Sequence, residues 1–590
     1  MERSRVTEAM SAMESPEVDS GNDVRPAALG SGLVVELDRQ YVRAVYLGSV
    51  EGHGRLIASA TSRSTALPPI DDASVAVRKV VRDIEEQLGL ELYGGDGIET
   101  PSRDDVGVDY VAVTGQPVAP TRLAIVPLGE SQVSRALVEA AGRSIAIVEL
   151  VGPEVRTGDG VISGALFEQH LRAFRPDTVV LVEGSNAIVE WSTVIGTLAG
   201  LAAEGAAGQI IIIASEHYQH QAAQMFGEDA DLRGIDPAEF PAAEIAAALE
   251  AELHALYEAR LDPRSTVATH GELRYVSQVR ASDLVTRFLA RRRQQSVVTV
   301  ASGDGTTLHW ASGSSSEARA RPDIDVFTHV RGALALDPDQ ITRWLPFVLA
   351  NEDLAHWVLN RALRPFSLAE APRDVAIESA IITAPLRDLW ASFQASRDAQ
   401  VDVIVAGRPW AQWPDPTLAV FSLLNIFQPN PAGGLVEIVL DVDGIVPAAG
   451  AIGEQNPALA ADAVENDLMV PTASVIVVRG SGSDGDLAVR GQLRLAHDEP
   501  LRFSVPFGAL HHIPLPPGKE ATLSLTAEPR FSIGDHRSGE EIVFGRATPL
   551  RGSDVGIIID ARGRPLQLPG DTASRASRVA SWLEDLGTRI

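Results

Sequence analysis

Two short segments constrain the fold more than anything else in the chain: "DTVVLVEGS" (Asp177–Ser185) and "QIIIIAS" (Gln209–Ser215). A strand with one face in water alternates apolar and polar residues, whereas these runs are apolar at every central position. Both of their faces must therefore be covered, which parallel sheets achieve with helices on either side. "VDYVAVTG" (Val108–Gly115) and "SIAIVELVG" (Ser144–Gly152) read as further strands. Between strands lie amphipathic stretches such as "ASVAVRKVVRDIEEQLG" (Ala73–Gly89), where Val77, Val80, Val81, Ile84 and Leu88 share a helical face. Asp71 and Asp72 are available as caps and Gly89 as the stop. The alternation predicts an α/β architecture.

At 590 residues the chain exceeds a single ordinary core and is expected to hold two to four domains. Residues 1–30 contain six acids, three arginines and three of the five methionines, with no large apolar run, and read as a disordered tail. "GLVVELDRQYVRAVYLGSV" (Gly32–Val50) and "GRLIASATS" form a strand meander that opens a first half, residues 31–290, expected to carry an α/β insertion. A second hairpin at Val297–Trp310 restarts the pattern and opens another half, residues 291–475. Beyond "ASVIVVRG" (Ala473–Gly480) the apolar runs become short and turn-bounded. Residues 476–590 are accordingly expected to be a separate β-rich domain, with strands at "LRFSVPFG" and "ATLSLTAE" and a closing helix at Ala576–Gly587.

Charge and composition exclude several functions. With 79 acidic against 50 basic residues the net charge is −29, a field that repels nucleic acid. The absence of cysteine removes disulfides, thiol nucleophiles and thiolate metal sites. The most apolar stretch, Thr193–Ser215, is broken by Glu204 and by glycines and reads as helix, turn and strand, not as a membrane span. The first ten residues lack the apolar core of a signal peptide. No membrane association is expected, and the cytoplasm is the expected compartment.

Few segments suggest chemistry. "VVTVASGDGTT" (Val297–Thr307) is a strand entering a glycine- and hydroxyl-rich turn, the form in which a hairpin can present backbone N–H groups to phosphates; Asp-Gly is equally a favoured plain hairpin turn. The loop Glu183–Asn186 leads a buried strand into a helix, where α/β proteins bind ligands, but a capped turn explains it as well. His217 and His220 lack a nameable third metal ligand, and the adjacent His511 and His512 face opposite sides of a strand. The arginines of "RFLARRRQQS" (Arg287–Ser296) suit the last turn of a helix.

Several longer segments carry a family resemblance: "RSTALPPIDDASVAVRKVVRDIEEQLG", "RPDTVVLVEG", "LDVDGIVPAAGAIG" (Leu440–Gly453), "VPFGALHHIPLPPGKEATLSLTAEPRFSIG" and "GIIIDARGRPLQLPGD". Over most of Gly32–Gly587 the chain resembles the MutL proteins encoded beside adenosylcobalamin-dependent glutamate mutase, which are unrelated to the mismatch-repair proteins of the same name. The resemblance implies two actin-like, ribonuclease H-like lobes around a nucleotide pocket, and a chaperone or maintenance role toward the mutase. It places the first phosphate motif on Glu36-Leu37-Asp38-Arg39-Gln40, without glycine or hydroxyl. The second falls on Ala301-Ser302-Gly303-Asp304-Gly305-Thr306-Thr307, with alanine at the metal-directing position, and the adenosine-side loop falls on Val405–Trp410, keeping Gly407. The implied pocket residues are therefore Asp38, Gly303, Asp304, Gly305, Thr306, Thr307 and Gly407, as a vestigial nucleotide site with no catalytic residue and no metal ligand assigned. The expected function is a degenerate scaffold or interaction partner for another protein. The alternative is a weak ATPase or ATP-driven chaperone that binds ATP and magnesium, with Asp38 or Asp304 supplying the missing carboxylate. Either reading requires the turns at Asp38–Gln40, Ser302–Thr306 and Gly407–Trp410 to converge. Arg39 and Gln40 are expected in the phosphate space, and Arg408 and Trp410 on the adenosine side.

Overall fold

The two uninterrupted apolar runs are central strands of one parallel sheet in the computed structural model, which describes residues 29–590 apart from 117, 159, 207, 227–231, 262–265, 304, 323–336, 365, 394–399, 496–498 and 547–548. The expected tail, residues 1–30, thus lies outside the described residues except for its last two. The chain divides into two compact units, one of Gln116–Asp262 with Ala318–Asp323, the other of Met1–Gly115, Pro263–Glu317 and Ile324–Ile590.

In the smaller unit five parallel strands stand in the order Ala146–Leu150, Thr121–Pro127, Thr178–Val182, Gln209–Ile213, Leu232–Ile235. Period-two alternation sorts their side chains onto two faces. Leu123, Ile125, Val180, Val182, Ile211 and Ile213 pack with Leu137 and with Ile245, Leu249 and Leu253 of the helix Ala242–Arg260. Ala124, Val126, Val179, Leu181, Ile210 and Ile212 meet Phe167, Trp191, Val194 and Leu198 on the other side. Each fully buried aliphatic side chain contributes roughly 1.5–3 kcal/mol over exposure, so the sheet needs the helices on both faces that its sequence demanded. The order second, first, third, fourth, fifth is that of a doubly wound α/β fold.

The larger unit contains two sheets built on one plan. In the first, Gly32–Leu37 pairs antiparallel with Tyr41–Val50, which pairs with His53–Arg63. On its other side Gly32–Leu37 runs parallel to Tyr110–Gly115, and Leu273–Tyr275 completes the edge. In the second, Val297–Gly303 pairs antiparallel with Gly305–Ser312 and parallel with Val403–Ala406, which runs parallel to Leu435–Leu440; Ser315–Arg321 is the third strand. Numbered within each half, both sheets read third, second, first, fourth, fifth. This repeated order makes the halves two actin-like, ribonuclease H-like lobes. The helix Ala73–Leu88 covers the first sheet, with Asp72 accepting from the Ser74 N–H and Gly89 closing it in the left-handed region. The helices Gln278–Arg293 and Ile445–Ile452 pack on each other between the lobes. A Cβ at Gly450 would fall 2.1 Å from the Ala281 carbonyl oxygen, so glycine is what lets these two backbones touch.

The C-terminal region is strand-rich, but the expected boundary at residue 476 falls inside a strand. Ala473–Gly480 pairs antiparallel with Leu435–Leu440 and parallel with Gly556–Asp560, which in turn holds Leu510–Ile513. The second lobe's sheet thereby grows to nine strands. Leu487–Leu495, Leu501–Pro506, Glu520–Ala527, Glu541–Phe544 and Leu550–Arg551 form a separate five-stranded antiparallel sheet. Its inner residues Val489, Leu523 and Leu525 share a core with Ile476, Val478, Ile557 and Ile559 of the large sheet. The expected independent domain is corrected on this point, because its hydrophobic face is completed by strands of the second lobe. Among the described residues no helix is long and apolar enough to cross a membrane.

Candidate functional site

Gly32–Leu37 is the central strand of the first sheet and is buried at every position, so it carries the polar residues at its end into the interior: Glu36 is 3% and Asp38 2% exposed. The Asp38 N–H donates to the Tyr41 carbonyl across the turn (2.9 Å), turning the chain back into the next strand. Tyr41 and Arg43 alternate onto the same face of that strand. The Tyr41 hydroxyl donates to Glu36 Oε1 at 2.7 Å, and Arg43 Nη1 lies 3.7 Å from Glu36 Oε2. Burial, with Asp38 and Glu36 adding to it, holds the Tyr41 phenol well above its usual range. Burial works against the Arg43 charge, yet Glu36, Tyr41, Asp441 and Asp38 together keep its pKa raised.

The second turn is a tight hairpin in which Ala301 faces Thr307, Ser302 faces Thr306 and Gly303 faces Gly305. The Ser302 and Thr306 hydroxyls bond each other at 2.8 Å, and the Ser302 N–H donates to the Arg408 carbonyl at 2.7 Å. Asp304 lies outside the described residues. The third turn leaves the strand Val403–Ala406, and the Gly407 N–H donates to the Val300 carbonyl (2.9 Å), fastening it to the second hairpin.

The three turns adjoin one another, but the cavity beside them is lined by the first and third turns and only by strand positions flanking the second. Asp38, Thr307 and Gly407 line one cavity with Glu36, Tyr41, Arg43, Ala301, Arg408, Asp441 and Gly444. Gly303, Gly305 and Thr306 form the hairpin tip and are not part of that lining. Two expectations about the fillers are corrected. Tyr41 and Arg43 reach the cavity in place of Arg39 and Gln40, since the strand's alternation points them inward. Trp410 turns away into the second lobe's core, fully buried with its Nε1 donating to the Ser422 hydroxyl at 3.1 Å. Arg408 does narrow the site: its guanidinium carbon stands 3.3 Å from the centre of the Tyr41 ring, a cation–π stack joining the first and third turns.

Asp441 is the residue that sequence reasoning missed. It follows Leu435–Leu440 and, at 4% exposure, accepts from the Ile445 and Val446 N–H groups at 2.7 and 2.9 Å, the start of the helix Ile445–Ile452. Its carboxylate thus occupies the anion-binding end of that helix. Burial pushes its pKa up to about 6 despite these two hydrogen bonds. Its only signal was an Asp two residues before Asp-Gly, inside the quoted "LDVDGIVPAAGAIG". Gly444 has φ +75°, and a Cβ there would lie 1.8 Å from Arg43 Nη1, so Arg43 rests directly on the helix entry.

The volume open to the centres of water molecules is about 30 Å³, room for about two waters, where drug-sized ligands occupy pockets of roughly 300–1,000 Å³. Three carboxylates, Glu36, Asp38 and Asp441, share this space with two guanidiniums. Glu36 Oε2 and Thr307 Oγ1 are buried without a hydrogen-bond partner among the described residues. Behind the cavity His309 is fully buried, both ring nitrogens likewise unbonded, and burial lowers its pKa to about 4, so it is neutral. No group of three His, Asp or Glu side chains among the described residues is placed to hold a metal ion.

The other sequence candidates are absorbed locally. Glu183 Oε2 accepts from the Ser215 N–H at 2.6 Å, and the Ser185 hydroxyl accepts from the Glu130 N–H at 3.1 Å. His220 bonds the Glu216 carbonyl and His217 bonds Gln221. Arg292 and Arg293 pair with Glu465 and Glu437.

The sequence matches no protein-family model and no curated protein. Among solved structures, similarity is found to the activator of the 2-hydroxyisocaproyl-CoA dehydratase from Clostridium difficile with bound ADPNP, at 9% identity and a TM-score of 0.26 over 73% of this chain and 93% of that one. A diol dehydratase-reactivating factor in nucleotide-free form is 10% identical, with a TM-score of 0.28 over 72% and 100% of the two chains. A xylulose kinase from Bifidobacterium adolescentis is 13% identical, with a TM-score of 0.24 over 73% and 93%. The lobes are assigned by their repeated sheet order, not by these values.

Proposed function

We propose that this chain is a catalytically degenerate actin-like protein that acts as a scaffold or interaction partner, and that its partner is a cobalamin-dependent mutase of the glutamate mutase type. The observation that carries the first part is the stack of Arg408 on Tyr41 across the cavity. Two of the three turns that a nucleotide would have to touch are locked to each other, and about 30 Å³ remains. Asp441 adds to this by satisfying the helix N–H groups with the protein's own carboxylate. The second part rests on the sequence resemblance to the MutL family alone. A second reading, a weak ATPase or ATP-driven chaperone, draws on Glu36 and Asp38 at the cavity wall beside the Thr307 hydroxyl, which has no partner among the described residues, although these carboxylates and Asp441 do not form a three-residue metal-binding group. In that reading Glu36 and Asp38 would hold a magnesium ion and Thr307 would face a phosphate.

Calorimetric titration of the purified chain with ATP, with and without magnesium, separates the two. The degenerate reading expects no saturable heat, corresponding to a Kd weaker than about 1 mM. Micromolar binding that requires magnesium would overturn it in favour of the ATPase.

A further inference from the structure

The five-stranded C-terminal sheet has one face in the core and one in solvent, and the solvent face carries an unusual charge arrangement for so acidic a protein. Val489, Leu493, Val505, Leu523 and Leu525 point inward and are at most 5% exposed. The alternate residues must point out. On Leu487–Leu495 these are Arg490, Gln492 and Arg494; on Leu501–Pro506 they include Arg502 and Ser504; on Glu520–Ala527 they are Glu520, Thr522, Ser524 and Thr526. Register places Gln492 opposite Arg502 and Ser524, Arg490 opposite Ser504 and Thr526, and Arg494 opposite Thr522.

Arg502 is therefore diagonal to both Arg490 and Arg494, at the roughly 7–8 Å spacing of such neighbours, where like charges repel. One internal counter-ion is present: Glu528 lies 3.3 Å from Arg490, whose side chain is still 67% exposed. Arg494 and Arg502 are exposed and make no hydrogen bond or ion pair with any described residue. Glu541 stands beyond Thr526, on the far side of Arg490 from this corner. Three guanidiniums are thus held at fixed spacing over a floor of hydroxyl and amide groups; Glu520 stands on the same face without pairing to them, so two of the three have no acid partner among the described residues.

We propose that this face, with Arg490, Arg494 and Arg502 at its centre, is a docking surface for a carboxylate-rich segment of a protein partner. Guanidinium forks match carboxylates bidentately, and the neighbouring Ser504, Ser524 and Thr522 hydroxyls supply further hydrogen bonds to the same groups. Charge complementarity selects an anion. The chemistry of the face selects polypeptide over nucleic acid, because no aromatic side chain stands among the outward residues to stack a base and the whole chain carries −29. The surface is remote in mechanism from the cavity, and the inference stands whether or not a nucleotide binds.

The test is fluorescence anisotropy of labelled octaglutamate with the full chain at low ionic strength. Binding is expected in spite of the protein's negative charge, weakening steadily as salt screens it. The combined variant Arg490→Ser, Arg494→Ser, Arg502→Ser should weaken binding at least about tenfold, an order of magnitude consistent with losing charge-assisted contacts. The matching lysine variant, which keeps the charge and loses the fork, should fall between them. A control replacing Arg172, Arg233 and Arg292, each already paired with glutamate, should bind like the parent. Thermal melting must be unchanged in the serine variant, as exposed positions require. No binding at low salt, equal loss in the control, undiminished binding in the serine variant, or tighter binding of octathymidylate would each overturn the assignment.

Discussion

Replacing Gly444 by alanine should destabilise the larger unit far more than a methyl group ordinarily does, for two separable reasons. At φ +75° an L residue other than glycine costs roughly 1–2 kcal/mol. The new Cβ would also lie 1.8 Å from Arg43 Nη1, so the guanidinium has to leave its place beside Glu36. Both partners are nearly inaccessible, at 7% and 4% of their side-chain surface, and breaking a buried pair by displacing one member costs roughly 3–5 kcal/mol. Together the expected loss is about 4–7 kcal/mol. It can be read from urea unfolding followed by tryptophan fluorescence, because Trp191 alone of the eight tryptophans belongs to the smaller unit. The decisive measurement is the double-mutant cycle. With Arg43→Gln already in place the clash disappears, and Gly444→Ala should cost only the backbone share, about 1–2 kcal/mol. A loss below about 2 kcal/mol in the parent, or an equal loss in both backgrounds, would show that Arg43 does not rest on the helix entry.

Two further outcomes follow from groups whose surroundings are equally specific. Asp441 titrates at about 6 in the folded chain against an ordinary 3.8, so folding favours its protonated form: its contribution is complete below about pH 4 and is lost as pH rises through about 6, worth about 3 kcal/mol. Asp441→Asn cannot titrate, and the unfolding free energy of the parent minus that of the variant should fall by about that amount between these limits; a flat difference would refute the shift. Gly129→Ala should unfold the smaller unit selectively by at least about 1–2 kcal/mol, since φ is +94° and a Cβ would lie 2.4 Å from the Ser185 hydroxyl. Trp191 emission should move to lower urea while the fluorescence of the other tryptophans holds its midpoint, and a common shift would argue against the division into units.

The parts of the fold that sequence made legible are those whose constraint is local. Ile210–Ile213 and Val179–Val182 could only be strands covered twice, and Asp72 and Gly89 mark both ends of one helix with their own chemistry. The two hairpins announced themselves through apolar runs around short polar turns. The C-terminal strands did not, because "GIIID" and "ASVIVVRG" look the same whether they pair with each other in a small module or join a sheet begun more than a hundred residues earlier. Pairing across such distances leaves no trace in periodicity. At the site, the two hairpin turns were legible in the residues and the role of the third came from the resemblance, while the choice between Arg39 and Arg43 as the inward residue depended on where the strand resumes after its turn. Asp441 escaped notice for a related reason: an acid before a helix is ordinary, and only the tertiary placement of Arg43 against Gly444 makes it part of a buried network.

The strand Ala473–Gly480 has a consequence for how the chain comes into being. Its parallel neighbour Gly556–Asp560 lies some eighty residues downstream, and parallel pairing cannot be closed by a tight turn. During synthesis the second lobe therefore emerges with one side of this apolar strand unpaired, and it stays so until almost the last residues have left the ribosome. Local pairing with Leu435–Leu440 forms at once, but the exposed side remains an open template for another chain. A stop codon anywhere before residue 556 would make that transient hazard permanent, so truncated products of this gene are expected to aggregate instead of folding as a shorter, two-lobed protein.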